Sequence, residues 1–173
     1  MTRRGGREVL LVHRAPKQGG YWHVVAGGVE SGETLAGAAE RELHEETGLV
    51  AHVSAGVGVV EYVYPLTEEP AERRKLYDPS VVRVEVTCFC VAAPDDWEPT
   101  LDWEHDGHRW CGPADAFTTL RWPDTAQALR KLLALELQER AATGGGSSVG
   151  PASENVLRPA EASPSRNTDT SVP

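Results

Sequence analysis

Two hydrophobic periods alternate along the chain. A compact apolar run over Glu8–Arg14 (EVLLVHR) is followed by the turn-rich APKQGG and by a second run over Tyr21–Ala26, and these runs predict two strands. From Thr34 to Thr47 apolar residues recur every four positions, and the pattern closes at Gly48, a residue typical of helix C-termini. The N-terminal part of the chain therefore predicts two strands followed by a helix.

Strand patterns return in the middle of the chain, first in HVSAGVGVVEYVYP and again in SVVRVEVTCFCVAAP, where valine and cysteine alternate with polar residues. The polar stretch between them, LTEEPAERRKLYD, predicts an exposed loop. Further on, HRWCG predicts a short strand and PADAF a helical turn. The last predicted element is a helix over Asp124–Arg140 with Asp124 as its N-cap and with a core stripe of Ala128, Leu129, Leu132, Leu133 and Leu137. Together these elements predict a mixed α/β domain.

The C-terminal residues differ in composition from the rest of the chain. From Ala141 onwards Gly, Ser, Pro, Thr and Asn dominate, and large apolar side chains are scarce. Such a segment cannot offset the entropy that it would lose on ordering. We therefore expect one folded domain over residues 1–142 and a disordered tail over residues 143–173.

Composition and charge narrow the classes of function. The chain has 17 basic and 26 acidic residues and a formal net charge of -9, which argues against a general nucleic-acid or anionic-membrane surface. No apolar run approaches the roughly 18 residues of a membrane span, and the N-terminus has no secretory signal pattern, so a soluble cytoplasmic protein is expected. Cys88 and Cys90 share one face of a predicted strand and no zinc-ligand spacing occurs, so the cysteines are expected to be reduced thiols.

Four glutamates crowd the first predicted helix, namely Glu40, Glu42, Glu45 and Glu46. Glu42 and Glu46 lie one helical turn apart with Glu45 beside them, so their carboxylates converge. Glu46 also occupies the sector where an amphipathic helix keeps an apolar residue, so its charge is directed at the protein body. Like charges at this spacing need a compensating positive group, and oxygen ligands suit a hard divalent cation such as Mg²⁺ or Mn²⁺. The alternative is a solvated acidic face neutralised by Arg41 and His44.

The spacing within residues 27–49 favours the cation. The stretch GGVESGETLAGAAERELHEETGL matches the pattern GX5EX7REUXEEXGU, in which U is an aliphatic residue, at every fixed position. This pattern is the Nudix box, so the chain resembles the Nudix hydrolases.

The resemblance implies a Nudix α/β/α sandwich with a central mixed sheet, in which the box forms a loop–helix–loop that binds metal and diphosphate. Glu42, Glu45 and Glu46 would then be the catalytic and metal-binding residues, with Glu42 or Glu46 as a possible general base. Glu33 and Arg41 would brace the loop through an ion pair. The implied cofactor is Mg²⁺ or Mn²⁺.

The flanks of the box resemble one group within the family, the bacterial dihydroneopterin-triphosphate and dATP pyrophosphohydrolases. In YWHVVAGG, Val25 and Ala26 stand where Nudix proteins commonly have Pro and Gly. In this respect the stretch is similar to the WQSVTGS stretch of the group. DWEHDGHRW is similar to their EH element, so Glu104 matches a further metal ligand. Arg14, the Ala26 carbonyl and Gly27 correspond to substrate-binding positions of this group.

Several residues outside the box have a structural alternative. Glu85 is an alternative to Glu104 as the metal ligand from outside the box. Glu104 could instead be an ordinary loop carboxylate, and Arg14 could be a surface charge at the end of a strand. We expect the tryptophans and histidines near the C-terminal half to be packing residues and loop polar groups rather than stacking platforms or ligands; these are Trp103, Trp110, Trp122, His105 and His108.

The resemblance predicts a hydrolase that cleaves a nucleoside triphosphate or pterin triphosphate to a monophosphate and pyrophosphate. Dihydroneopterin triphosphate and nucleotide sugars such as ADP-ribose are alternative substrates, and a non-catalytic nucleotide sensor is the alternative of another class. The protein would bind small molecules and neither nucleic acid nor membranes. It would be a monomer or a homodimer. Only Met1–Arg7 precede the first predicted strand, and TRRGG is typical of a turn. Since Nudix sheets usually begin with an earlier strand, we expect the natural chain to begin about ten residues upstream.

Overall fold

A computed structural model describes residues 1–53, 59–69, 71–75 and 77–144. The strands are β1 (Thr2–Arg3), β2 (Glu8–Arg14), β3 (Trp22–His23), β4 (Val60–Pro65), β5 (Arg83–Cys88) and β6 (His105–Cys111). The α-helices are α1 (Leu35–Thr47), α2 (Ala71–Arg74), α3 (Pro113–Thr119) and α4 (Pro123–Gly144), and short 3₁₀ helices span Pro16–Gln18 and Leu66–Glu68.

Strand β2 is the centre of the main sheet. Its apolar residues are fully buried, and it pairs with β6 along one edge from Val9 to Arg14. The other edge is shared by β1 and β3, both antiparallel to β2. A parallel bridge between Thr2 and Ala92 adds the residues that follow β5 to this sheet. Strands β4 and β5 form a separate antiparallel pair.

Alternate residues of β2 face two different helical layers. Val9 and Leu11 pack with Leu129 and Leu133 of α4 and with α3. On the opposite face, Leu43 of α1 belongs to a cluster with residues around the sheet, including Trp110 of β6. Because helices cover both faces, the predicted α/β/α sandwich around a mixed sheet is confirmed.

The paired strands β2 and β6 lose their regular register next to the end of β2. His13 lies opposite Gly107, but Arg14 lies opposite His105, so Asp106 is an extra residue in β6. Bulges of this kind re-aim side chains at a sheet edge. Here the offset coincides with the positions of Arg14 and Glu104.

The first strand and the first helix occupy the predicted residues, with Thr34 as the cap of α1. The second strand is shorter than predicted, because the chain leaves the sheet after His23 and turns towards α1. Leu35 is half exposed, so the buried face of α1 is formed by Ala38, Leu43, Glu46 and Thr47.

The last helix differs from its prediction at both ends. It begins at Pro123, a residue well suited to the first helical position, so Asp124 is inside the first turn and is not the N-cap. It continues to Gly144, and Leu137 is 63% exposed, so the predicted core stripe ends before it. Residues 145–173 of the predicted tail lie outside the described residues, and the tail stays a prediction.

The predicted turn TRRGG is partly wrong, because its first two residues, Thr2–Arg3, form a strand that pairs with β2, and the turn itself spans Arg4–Arg7. The expectation of an upstream segment stays a prediction. The part of LTEEPAERRKLYD that the structure describes contains α2 and a 3₁₀ turn.

The three cysteines are free thiols, and burial raises the pKa of Cys88 to about 11. In the described ranges, the helices are too short or too polar to span a bilayer.

Candidate active site

Helix α1 presents three glutamates from its C-terminal half, and both of its ends are closed. The Thr34 hydroxyl accepts a hydrogen bond from the Gly37 amide at 3.0 Å and caps the first turn. Gly48 has a φ of 76°, a left-handed conformation that favours glycine, and its amide donates to the His44 carbonyl at 2.8 Å. The glutamates therefore project from a well-defined backbone.

Glu46 is the buried carboxylate of the site. Its side chain belongs to a residue only 4% exposed, which confirms that this helix directs a charge at the protein body. Its Oε2 accepts a hydrogen bond from the Ala26 amide at 3.3 Å, and its Oε1 lies 3.5 Å from Nη2 of Arg14. Burial raises the pKa of Glu46 to about 8, although Arg14 and the Ala26 amide oppose the shift. Ionisation of Glu46 in the folded protein therefore costs free energy.

Arg41 connects the loop of the box to its helix. Its Nε lies 2.9 Å from Oε1 of Glu33, and its Nη2 donates to the Gly28 carbonyl at 2.8 Å. The hydrogen bond that Arg41 donates to the Glu33 carboxylate lowers the pKa of Glu33. The Nη1 of Arg41 also lies 2.8 Å from Glu42 and 3.1 Å from Glu45. The two carboxylates therefore converge on one nitrogen atom.

Arg14 forms a second point of convergence. Its guanidinium group is buried, contacts Glu46 and forms an ion pair with Glu104 through Nη1. Its Nε has no hydrogen-bond partner among the described residues. Arg14 is thus not an ordinary surface charge, and it brings Glu104 beside the helix of the box. Glu85, the competing candidate, is an exposed residue of β5 that lies 3.3 Å from Arg83 and also lines the cavity described below.

Gly27 provides the close approach that Glu42 requires. A Cβ atom built on Gly27 would overlap the Glu42 carboxyl group, whereas one on the neighbouring Gly28 would meet nothing within 4 Å. The Glu42 carboxylate therefore rests directly on the backbone at Gly27. This contact gives a physical reason for glycine at the first position of the box.

A buried histidine pair was missed by the sequence analysis. His105 was expected to be a loop polar group, but it begins β6 with a fully buried side chain. Its Nδ1 lies 2.6 Å from Asp102, and its Nε2 lies 2.9 Å from Nε2 of His23 and 3.9 Å from Glu46. The signal in the sequence was the EH element, of which His105 is the second residue. His108 lies in β6, as the predicted strand HRWCG implies, and not in a loop, and its Nε2 is 3.1 Å from Oε2 of Glu98.

A cavity of about 370 Å³ borders the site. Its wall includes Arg14, Ala26, Gly27 and Glu42, and its volume is in the range of small-molecule pockets. The tryptophans differ in their surroundings: Trp122 lines the cavity, Trp110 packs in the core, and Trp103 is 77% exposed.

The glutamates are neutralised by arginines rather than gathered into one ligand group. Within residues 1–53, 59–69, 71–75 and 77–144, no three His, Cys, Asp or Glu side chains are grouped closely enough to hold a metal ion as placed. The donor set nevertheless fits a hard divalent cation, because all four side chains offer carboxylate oxygens and each pair already converges on one positive group. A cation would take over the charge neutralisation that the arginines provide.

A glutamate-rich loop–helix–loop on an α/β/α sandwich defines the class of Nudix proteins. The family model of the NUDIX domain matches residues 1–134, and the chain belongs to this family. The prediction of a Nudix hydrolase is therefore confirmed at the level of the family.

Similar proteins come from several bacteria. An octanoyltransferase of Myxococcus xanthus is 35% identical over 126 residues, which cover 73% of this chain but only 32% of that protein. The dihydroneopterin triphosphate diphosphatase of Escherichia coli is 30% identical over 118 residues, covering 67% of this chain and 77% of that enzyme. The solved structure of the E. coli dihydroneopterin triphosphate pyrophosphohydrolase has a TM-score of 0.62 at 23% identity, covering 77% of this chain and 90% of that chain. This structural likeness supports the fold.

Proposed function

We propose that the protein is a Mg²⁺- or Mn²⁺-dependent pyrophosphohydrolase. Its substrate would be a nucleoside triphosphate, a deoxynucleoside triphosphate or a related triphosphate, and its products a monophosphate and pyrophosphate. The observation that carries the proposal is the convergence of Glu42 with Glu45 and of Glu46 with Glu104, beside a cavity large enough for a small ligand.

In this proposal the residues have distinct roles. Glu42, Glu45, Glu46 and Glu104 would hold the cation. When bound, the cation supplies positive charge that offsets the phosphates and acidifies water. Water attacks phosphorus, the phosphoanhydride P–O bond breaks with pyrophosphate as the leaving group, and the proton of the water passes to Glu42 or Glu46. Arg14, with its unpartnered Nε, and the backbone at Ala26 and Gly27 bind the phosphates.

Other substrates and another class are compatible with the same site. The E. coli relative named for dihydroneopterin triphosphate supports a pterin substrate, and ADP-ribose or a nucleotide sugar is a further candidate. A non-catalytic nucleotide sensor is disfavoured because every glutamate of the box is present. We further propose a cytoplasmic monomer or homodimer that binds neither nucleic acid nor membranes.

A screen of triphosphates and nucleotide sugars with Mg²⁺ and Mn²⁺ tests the proposal, with coupled phosphate release as the readout. Activity on a triphosphate is expected. Inactivity on every compound would favour the sensor.

The variant Glu46→Gln tests the assignment of the buried carboxylate. Turnover should fall by about 10²-fold or more, because the change removes charge at the cation while preserving shape. Circular dichroism should show an intact fold. A variant with the wild-type rate would contradict the role of Glu46.

A further inference from the structure

A chain of buried polar side chains lies directly beside the proposed cation site. Oδ1 of Asp102 lies 2.6 Å from Nδ1 of His105, and Nε2 of His105 lies 2.9 Å from Nε2 of His23. The His105 side chain is fully buried, His23 is 6% exposed, and the two rings stack with centroids 5.0 Å apart. Nε2 of His105 also lies 3.9 Å from Oε1 of Glu46. The two imidazoles therefore connect the loop before β6 to β3 next to a carboxylate that would hold the cation.

Hydrogen bonds at both ring nitrogen atoms fix the orientation of His105. A carboxylate only accepts hydrogen bonds, so Nδ1 of His105 donates to Asp102. Of the two Nε2 atoms, one donates and the other accepts. Rotation of the His105 ring would break both hydrogen bonds in the interior, where an unmade hydrogen bond is costly. His105 is therefore a rigid support for the groups that lie against it.

Three segments of the proposed site meet at this chain of side chains. Oδ1 of Asp102 accepts a second hydrogen bond from the Glu104 amide at 3.2 Å, so one oxygen atom fixes the backbone immediately before β6. Three residues after His23, the Ala26 amide donates to Glu46. The buried chain thus joins the segments that supply Glu104, Glu46 and the backbone at Ala26.

We propose that Asp102, His105 and His23 are positioning residues of the cation site. The proposal rests on the function proposed above, because it concerns the residues that would hold the cation. The three side chains touch neither cation nor substrate, and they hold Glu104 and Glu46 at the spacing that a shared cation requires. Removal of hydrogen-bonding partners that orient metal ligands weakens metal binding by about 10- to 100-fold.

The charge of Asp102 has an effect of its own, which has to be separated from its hydrogen bonds. Burial is the main cause that raises the pKa of Glu46, and the negative charge of Asp102 adds to it. Asp102→Asn removes this charge but keeps the oxygen atom that accepts from Glu104 and His105, whereas Asp102→Ala removes both. If hydrogen bonds position the site, the asparagine variant retains what the alanine variant loses.

A second histidine–aspartate pair provides the matched control. Nδ1 of His13 lies 2.6 Å from Oδ1 of Asp106, which are the same atoms at the same distance as in the buried pair. The Asp106 side chain is 44% exposed, however, and that of Asp102 is 21% exposed. Asp106→Ala keeps the extra residue of β6 and therefore removes an equivalent hydrogen bond outside the buried chain.

Mn²⁺ binding to the full chain without substrate tests the proposal, with electron paramagnetic resonance as the readout. Asp102→Ala should raise the Kd for Mn²⁺ by about tenfold or more, Asp102→Asn should restore most of the affinity, and Asp106→Ala should bind as wild type does. Urea unfolding of the same variants measures stability separately. An unchanged Kd in Asp102→Ala, or equal losses in the alanine and asparagine variants at position 102, would overturn the inference.

The imidazole N–H of His105 gives a second readout that needs no variant. Its buried hydrogen bond to Asp102 should give a downfield proton resonance that exchanges slowly with water. Addition of Mg²⁺ should shift this resonance, because Glu46 and Glu104 adjoin the ring. A resonance that Mg²⁺ leaves unmoved would contradict the positioning role.

The results distinguish failure of this inference from failure of the proposed function. Mn²⁺ binding that depends on Asp102, in a protein that hydrolyses no triphosphate, would support the positioning role and remove the proposed hydrolysis. Hydrolysis with the same kcat and the same Mn²⁺ affinity in Asp102→Ala would support the proposed function and remove the positioning role. Absence of Mn²⁺ binding by wild type, with and without a triphosphate, would overturn both.

Discussion

Glu46 is the residue at which folding and the proposed chemistry conflict most directly. Its carboxylate is buried beside the Ala26 amide, Nη2 of Arg14 and, at 3.9 Å, Nε2 of His105, and burial raises its pKa from the ordinary 4.5 to about 8. Between these two pH values the folded protein holds a proton that the unfolded chain has released. The proposed cation site thus depends on a group that opposes folding when it is ionised.

This conflict predicts how stability depends on pH in the absence of divalent cations. As pH rises from 4.5 to 8, Glu46 makes the free energy of unfolding fall, by no more than roughly 5 kcal/mol if the full shift applies. Glu46→Gln has no proton to lose and should lack this part of the slope. Urea unfolding in EDTA at pH 5 and pH 8 measures the difference, and parallel slopes for both proteins would contradict the buried ionisable state.

At the scale of elements, the packing of the glycine loop on α1 is what positions Glu42. A methyl group at Gly27 would occupy the space of the Glu42 carboxyl group, while the same group at Gly28 would meet no atom. Gly27→Ala should therefore move Glu42 and lower activity by about tenfold or more, because small misplacements of catalytic groups are costly. Gly28→Ala is the control and should stay near the wild-type rate. A comparable loss in both variants would indicate loop stiffness rather than this contact.

The elements that could be predicted from sequence are those with strong local signals. Strand β2 has an uninterrupted apolar run, and α1 has both a cap and a terminal glycine, so their bounds agree with the pattern. The second strand was predicted too long because the Ala26 amide is used by Glu46, a contact that no local pattern reveals. Leu137 was assigned to the core because it continues the four-residue spacing of Leu129 and Leu133, but at this point of α4 the buried position belongs to Glu136, which accepts a hydrogen bond from Thr2.

The candidate site was predictable to a similar degree. The box gave the glutamates of α1 and the partnership of Arg41 with Glu33, since these depend on spacing within one segment. The burial of His105 was missed because it depends on His23 and Asp102, which approach from another strand and from the preceding loop. Side chains that meet only through the tertiary fold carry no signal in sequence periodicity.

At the scale of the whole molecule, the β4–β5 pair is the least supported wall of the cavity. In the described sheets its backbone pairs only between its own two strands, whereas β2 has partners on both edges. It packs on α4 through Val60 and Tyr62, and a hydrogen bond between the Tyr62 and Thr125 hydroxyls also ties it to that helix. Units with fewer packed neighbours open at lower free energy. The wall of the cavity formed by β4 and β5 should therefore open more readily than the side next to β2.

Hydrogen exchange followed by mass spectrometry should reveal this difference. Amides of β4 and β5 should exchange faster than those of Leu10–Val12 in β2. A bound triphosphate with Mg²⁺ should slow amide exchange in β4 and β5, because Tyr62 and Tyr64 line the cavity. Amides of β2 serve as the internal control. Uniform protection before ligand addition would rule out the proposed difference between the two walls.

The extra residue Asp106 has a consequence for the geometry of the sheet. The backbone of Asp106 has no pairing partner in β2, so pairing resumes with Arg14 opposite His105, and the Ala15 amide then donates to the Glu104 carbonyl at 2.8 Å. The backbone of Glu104 is therefore tied to the end of β2, next to the arginine with which its side chain forms an ion pair. The carboxylate that lies just before β6 thus has a fixed point of attachment beside the helix of the box.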